Sequence, residues 1–114
     1  KVETFGKCIP DSYFKSSNTS TPSGNTGPSQ SFQDGEYYMH IEASNPNNGV
    51  GNYGQVSTNN FANIQNIEMY FHMHGTGINA LRIEGYDGNT WNEVYKIIGQ
   101  THPNDTDPWK YLNI

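Results

Sequence analysis

Hydrophobic and polar residues alternate with period two in several short stretches of this chain. In Glu36-Tyr37-Tyr38-Met39-His40-Ile41-Glu42-Ala43, one set of positions is Tyr37, Met39, Ile41 and Ala43; the other is Glu36, Tyr38, His40 and Glu42. That pattern predicts a strand with one buried face. Ile67 to His74 repeats it, with Ile67, Met69, Phe71 and Met73 as the apolar stripe and Glu68, Tyr70, His72 and His74 opposite. Gly75-Thr76-Gly77 ends that strand. Ala80 to Tyr86 and Trp91 to Ile98 read as partner strands, joined by the hairpin turn Asp87-Gly88-Asn89-Thr90. Tyr53 to Ser57 predicts a short strand and Trp109 to Ile114 a last one. No stretch carries a sustained helical period. Short strands joined by Gly, Asn and Pro turns predict an all-β chain, an antiparallel sandwich. Residues 1–35 read as irregular. From Ser16 to Ser29 nearly every residue is a turn former, and Tyr13, Phe14 and Phe32 flank that stretch as apolar pins.

Composition narrows the class. A chain of 114 residues supports one domain and one modest core. Aromatic residues make up 13% and charged residues only 15%, which excludes a disordered acidic tail. No apolar run approaches the roughly 18 residues of a membrane-spanning helix. No basic and apolar leader opens the chain, so the reading is that any signal peptide is already removed. The net charge is −5 and no Lys/Arg cluster occurs, which argues against nucleic-acid binding through phosphates. The lone Cys8 forms no disulfide within the chain, leaving an unpaired thiol or a bond to another chain.

Three kinds of chemistry can be drawn from the side chains. His72 and His74 share one strand face, and His40, Glu42 and Glu68 lie on similar polar stripes. Imidazoles and carboxylates together suit Zn²⁺, but the favoured reading is a solvated or partly covered strand face with satisfied histidines. The strand carboxylates Glu36, Glu42, Glu68, Glu84 and Glu93 single out no acid–base pair, and neither a G-x-S-x-G elbow nor an H-E-x-x-H motif is present. The chain is therefore read as not an enzyme. The aromatics are the third kind. Tyr38, Tyr70, Trp91, Tyr95 and Trp109 are candidates for a sugar-stacking platform, with Asn89, Asn92, Glu93 and Asp87 as polar neighbours of Trp91. The competing reading places Trp91 and Trp109 in the core.

Three segments, in order, resemble the MAM domain family, closest in form to its bacterial relatives in large secreted proteins. Phe14 followed by Thr21-Pro22-Ser23-Gly24-Asn25-Thr26-Gly27-Pro28-Ser29 is similar to the family's aromatic and TGPS loop. Asp34-Gly35-Glu36-Tyr37-Tyr38-Met39-His40-Ile41-Glu42-Ala43-Ser44 is similar to its G-x-YY-x-Y-x-EAS strand. Met69-Tyr70-Phe71-His72-Met73-His74-Gly75 is similar to its F-x-YHM-Y-G segment. Ala80-Leu81-Arg82-Ile83, Trp91, Gly99-Gln100 and Trp109 to Leu112 fall where the family has later landmarks. The resemblance covers residues 11–114; residues 1–10 match poorly.

The resemblance implies a jelly-roll-like β-sandwich, with residues 1–114 as a single but partial domain. It implies a non-catalytic extracellular module for adhesion or protein interaction within a larger secreted or cell-surface protein. The alternative is a carbohydrate-binding module attached to a secreted hydrolase. It also implies a structural Ca²⁺ or Na⁺. The loop from Asn25 to Asp34 lies in the region that holds that ion in relatives, so Asp34 is the local ligand candidate and Glu3 the opening-strand one. The family's last strands find no counterpart here, so the sandwich is expected to be completed by a further segment or by another chain.

Overall fold

The computed structural model describes residues 9–10, 14–41, 54–58 and 60–114. Their regular structure is all strand. In chain order the strands are β1 (Ile9–Pro10), β2 (Phe14–Ser17), β3 (Tyr38–Ile41), β4 (Val56–Ser57), β5 (Glu68–Phe71), β6 (Ala80–Tyr86), β7 (Trp91–Ile98) and β8 (Lys110–Asn113). They form antiparallel pairs: β1 with β4, β2 with β3, β5 with β8, and β6 with β7. The chain divides into two compact units, Lys1–Gly24 with Ser29–Gln65 and Asn25–Pro28 with Asn66–Ile114.

The first unit holds β1–β4 and β2–β3. Strand β2 was not expected, because its residues open the turn-rich stretch. Extended backbone suits Lys15, Ser16 and Ser17 once a partner edge accepts their hydrogen bonds, and β3 supplies that edge, with Ser16 opposite Met39 and Ser17 opposite Tyr38. The turns begin only after it. In β3 burial does not follow the anticipated faces: Tyr38, Met39 and His40 are all half-buried, while Ile41, at 41%, and the preceding Tyr37, at 72%, are exposed. The Tyr38 hydroxyl donates to the Thr19 carbonyl, and its ring lies 5.9 Å from that of His40.

The second unit holds β5–β8 and β6–β7. Strand β5 stops at Phe71, short of the predicted His74. Its alternation survives up to that point, with Ile67, Met69 and Phe71 half-buried and Glu68 and Tyr70 exposed. Beyond it the Met73 backbone turns to another partner: its N–H donates to the ring of His102, 3.1 Å away. The core among the described residues gathers there. Met73 and Leu112 are its buried apolar side chains, and His102 is fully buried beside them. Gly75 must be glycine in this setting. Its φ is +142°, and an added Cβ would stand 3.3 Å from Thr26 Cγ2.

Candidate functional site

The β6–β7 hairpin carries an exposed aromatic pair. Its strands coincide with the predicted Ala80–Tyr86 and Trp91–Ile98. Glu84 pairs with Glu93 but Ile83 pairs with Tyr95, so Val94 is the extra residue of a bulge. The bulge reverses the side-chain phase of β7. Simple alternation puts Trp91 and Glu93 on the face of Tyr95 and Ile97. The bulge puts them on the opposite face, with Arg82, Glu84, Tyr86 and Lys96. Leu81, Ile83 and Ile97, on the other face, are half-buried.

Trp91 thus faces outward at 53% exposure beside Tyr86 at 50%, with ring centroids 5.2 Å apart and planes tilted by 40°. Next along the same face, Arg82 Nε donates to Glu93 Oε1 at 2.9 Å. The turn below the aromatics is held by one side chain. Asp87 Oδ1 accepts from the backbone N–H groups of Asn89 (2.8 Å) and Thr90 (2.9 Å), and Asp87 Oδ2 accepts from Asn92 Nδ2 (3.0 Å). Those donors, the Thr90 and Asn89 amides foremost, pull the Asp87 carboxyl down to about 2. Gly88, with φ +103°, allows the sharp reversal.

The residues anticipated for a ligand therefore separate. Trp91 and Glu93 share the outward face. Asn89 and Asn92 are committed to the turn, and Asn92 sits opposite Gly85 on the other face. Tyr86 and Arg82 were missed, although the Asp87–Thr90 turn already set Tyr86 across from Trp91. Tyr70 lies on a different strand pair, against Tyr111 at 5.2 Å, and the Tyr111 hydroxyl donates to Glu68. Tyr38 lies in the first unit, on β3.

Asp34 is exposed in a turn closed by the Glu36 N–H on the Gln33 carbonyl at 2.9 Å, with Gly35 at φ +81°. Glu3 and Cys8 lie outside the described residues. Among the described residues no three His, Cys, Asp or Glu side chains gather as a metal group.

The histidines have structural partners. His72 Nε2–H donates to the Asp107 carbonyl at 3.1 Å, and His74 Nδ1–H donates to the His102 carbonyl at 2.8 Å. His102 Nδ1 accepts from Met73 N–H, which makes it the unprotonated nitrogen, and Thr101 Oγ1–H adds a second donor at 2.7 Å. His102 Nε2–H then donates to the Pro108 carbonyl at 3.1 Å. The His72 ring stacks on that of His102 at 4.0 Å. The sequence expects His72 and His74 on one strand face, whereas β5 ends at Phe71 before either; that His102 is the central residue is not legible in the local pattern. Glu42 is outside the described residues.

No protein-family model matches the chain, and no solved structure matches it.

Proposed function

We propose that this chain is a non-catalytic binding module of a secreted or cell-surface protein, and that it takes a glycan on the outer face of the β6–β7 hairpin. The observation that carries this reading is the exposed Tyr86–Trp91 pair. A tryptophan contributes most when its large apolar area is covered. Here two neighbouring rings on a rigid hairpin leave theirs open, with the Arg82–Glu93 ion pair beside them. A pyranose suits that surface: its C–H face covers an aromatic ring while its hydroxyls reach flanking polar groups. Binding of the protein to a glycan array, with Trp91→Ala as the control, tests this. The expected result is saturable binding to one glycan class that falls at least about tenfold in the variant, roughly 1.4 kcal/mol, with far-UV circular dichroism unchanged. An array with no signal, or binding indifferent to Trp91, overturns it.

A second reading is the adhesion module of MAM type with a protein partner. Its support is that several residues carrying the resemblance converge in the second unit. Gly27 N–H donates to the His74 carbonyl at 2.8 Å, and Gly75 N–H donates to Gln100 Oε1 at 2.8 Å. The jelly-roll sandwich and the structural cation belong to this reading. A blank glycan array together with a cation-dependent thermal midpoint favours it.

A further inference from the structure

We infer that the loop of residues 101–109 is an acid-opened latch: uncharged His72 and His102 fasten it to the 72–74 segment, and their protonation releases it. This goes beyond the binding reading and uses residues remote in sequence from Trp91.

The fastening is built almost wholly from histidine nitrogens and backbone groups. His72 Nε2–H reaches the Asp107 carbonyl, His74 Nδ1–H reaches the His102 carbonyl, and His102 spans Met73 N–H on one side and the Pro108 carbonyl on the other. Two direct backbone bonds, from Thr101 N–H and His102 N–H to the Met73 carbonyl at 2.9 Å each, run beside them. Every one of these bonds fits neutral imidazole. Protonation of His102 puts a hydrogen on Nδ1, where Met73 N–H already points; the Thr101 hydroxyl can turn to accept it, but the bond from Met73 N–H is lost. That ring is fully buried, so no water is at hand to relieve the clash of donors. Protonation of His72 puts a hydrogen on Nδ1, a buried atom with no hydrogen-bond partner, and sets two cationic rings face to face at 4.0 Å.

The groups around the histidines mostly oppose charging. From β8, Lys110 donates to the Thr101 carbonyl at 2.8 Å and lies near enough to hold His102 down. His74 and His102 repel charge on His72; Asp107 alone favours it. Burial is the largest influence and brings His72 to about 4; burial also lowers His102. Folded His72 and His102 therefore bind protons less readily than the same groups in an opened loop, near 6.5. Their contribution to closure is complete above that value and drains away as pH falls toward 4.

Hydrogen exchange followed residue by residue, with protection factors corrected for the intrinsic pH dependence, tests the latch. Between pH 7 and pH 4.5, protection at the Met73, Thr101 and His102 amides is expected to drop about 10- to 100-fold. The β6–β7 amides are expected to keep theirs. His72→Gln retains a donor for the Asp107 carbonyl and removes one titrating group, so it is expected to shift the midpoint of opening to lower pH while closure at pH 7 persists. Protection that is flat across this range, or that falls equally in the hairpin, overturns the proposal. So does a midpoint unmoved in His72→Gln.

Discussion

His102 contributes more to this structure than its place in a polar loop conveys. Each ring nitrogen completes a backbone group that has no other partner in the hydrogen bonds of the second unit: Met73 N–H through Nδ1 and the Pro108 carbonyl through Nε2. A buried donor or acceptor left unpaired costs about 1–3 kcal/mol. His102→Phe preserves ring bulk and removes both bonds, so it is expected to destabilise the protein by about 2–5 kcal/mol in chemical denaturation at pH 7. A loss within about 0.5 kcal/mol would show that water or a shifted backbone replaces the imidazole. At this scale the sequence is least explicit. Histidine in a strand stripe and histidine in a Pro- and Asp-rich loop look alike whether they hold a metal, face solvent or lock a fold. Only the positions of the surrounding carbonyls tell them apart.

At the scale of the element, the β6–β7 hairpin is the part of the fold most fully written in the sequence. Its strand limits and its turn follow from local chemistry: β-rich segments on both sides, and Asp-Gly at the reversal. Asp87 is the residue that holds the tip together, through the Asn89 and Thr90 amides and the Asn92 side chain. Asp87→Ala is expected to raise the exchange rates of the Asn89 and Thr90 amides and to weaken any ligand bound at Trp91. The rest of the ladder is expected to stay closed, and equal loosening along the whole hairpin would contradict that view of the turn. The wild-type tip carries its own pH signature. Because the folded Asp87 carboxyl lies near 2, the stabilisation it gives is present above the usual value of 3.8 and is lost as pH falls through about 2. That window lies below the one in which the histidine latch opens, so the two events separate in an acid titration. What the hairpin sequence conceals is the bulge at Val94. One extra residue reverses the side-chain phase, and with it the face to which Trp91 belongs.

At the scale of the whole molecule, each described strand is hydrogen-bonded to one neighbour. Every pair thus has open edges among the described residues, and isolated two-stranded pairs are marginal in water. Apolar side chains remain outside as well, with Ile98 at 71% exposure, Ile64 at 59% and Val94 at 53%. We expect the 114-residue polypeptide, prepared by itself, to self-associate or to melt without a single cooperative transition. Light scattering coupled to size exclusion, followed by calorimetry, measures both. A monodisperse monomer with one sharp transition would mean that these strands close among themselves.

The sequence by itself determined the class and most of the elements. Period-two alternation and turn residues are local signals, and they marked an all-β antiparallel chain, the β6–β7 hairpin in full, and the positions of β3, β5 and β8 to within a few residues. It did not reveal β2, because Lys-Ser-Ser becomes a strand only when a partner edge accepts its hydrogen bonds. Nor did it assign burial in β3, where the bond from Tyr38 to Thr19 joins residues far apart in the chain. Tertiary structure alone decided which face Trp91 occupies and which histidine is central. Both depend on register and on contacts between segments about thirty residues apart or on a single inserted residue, and neither leaves a mark in the local pattern.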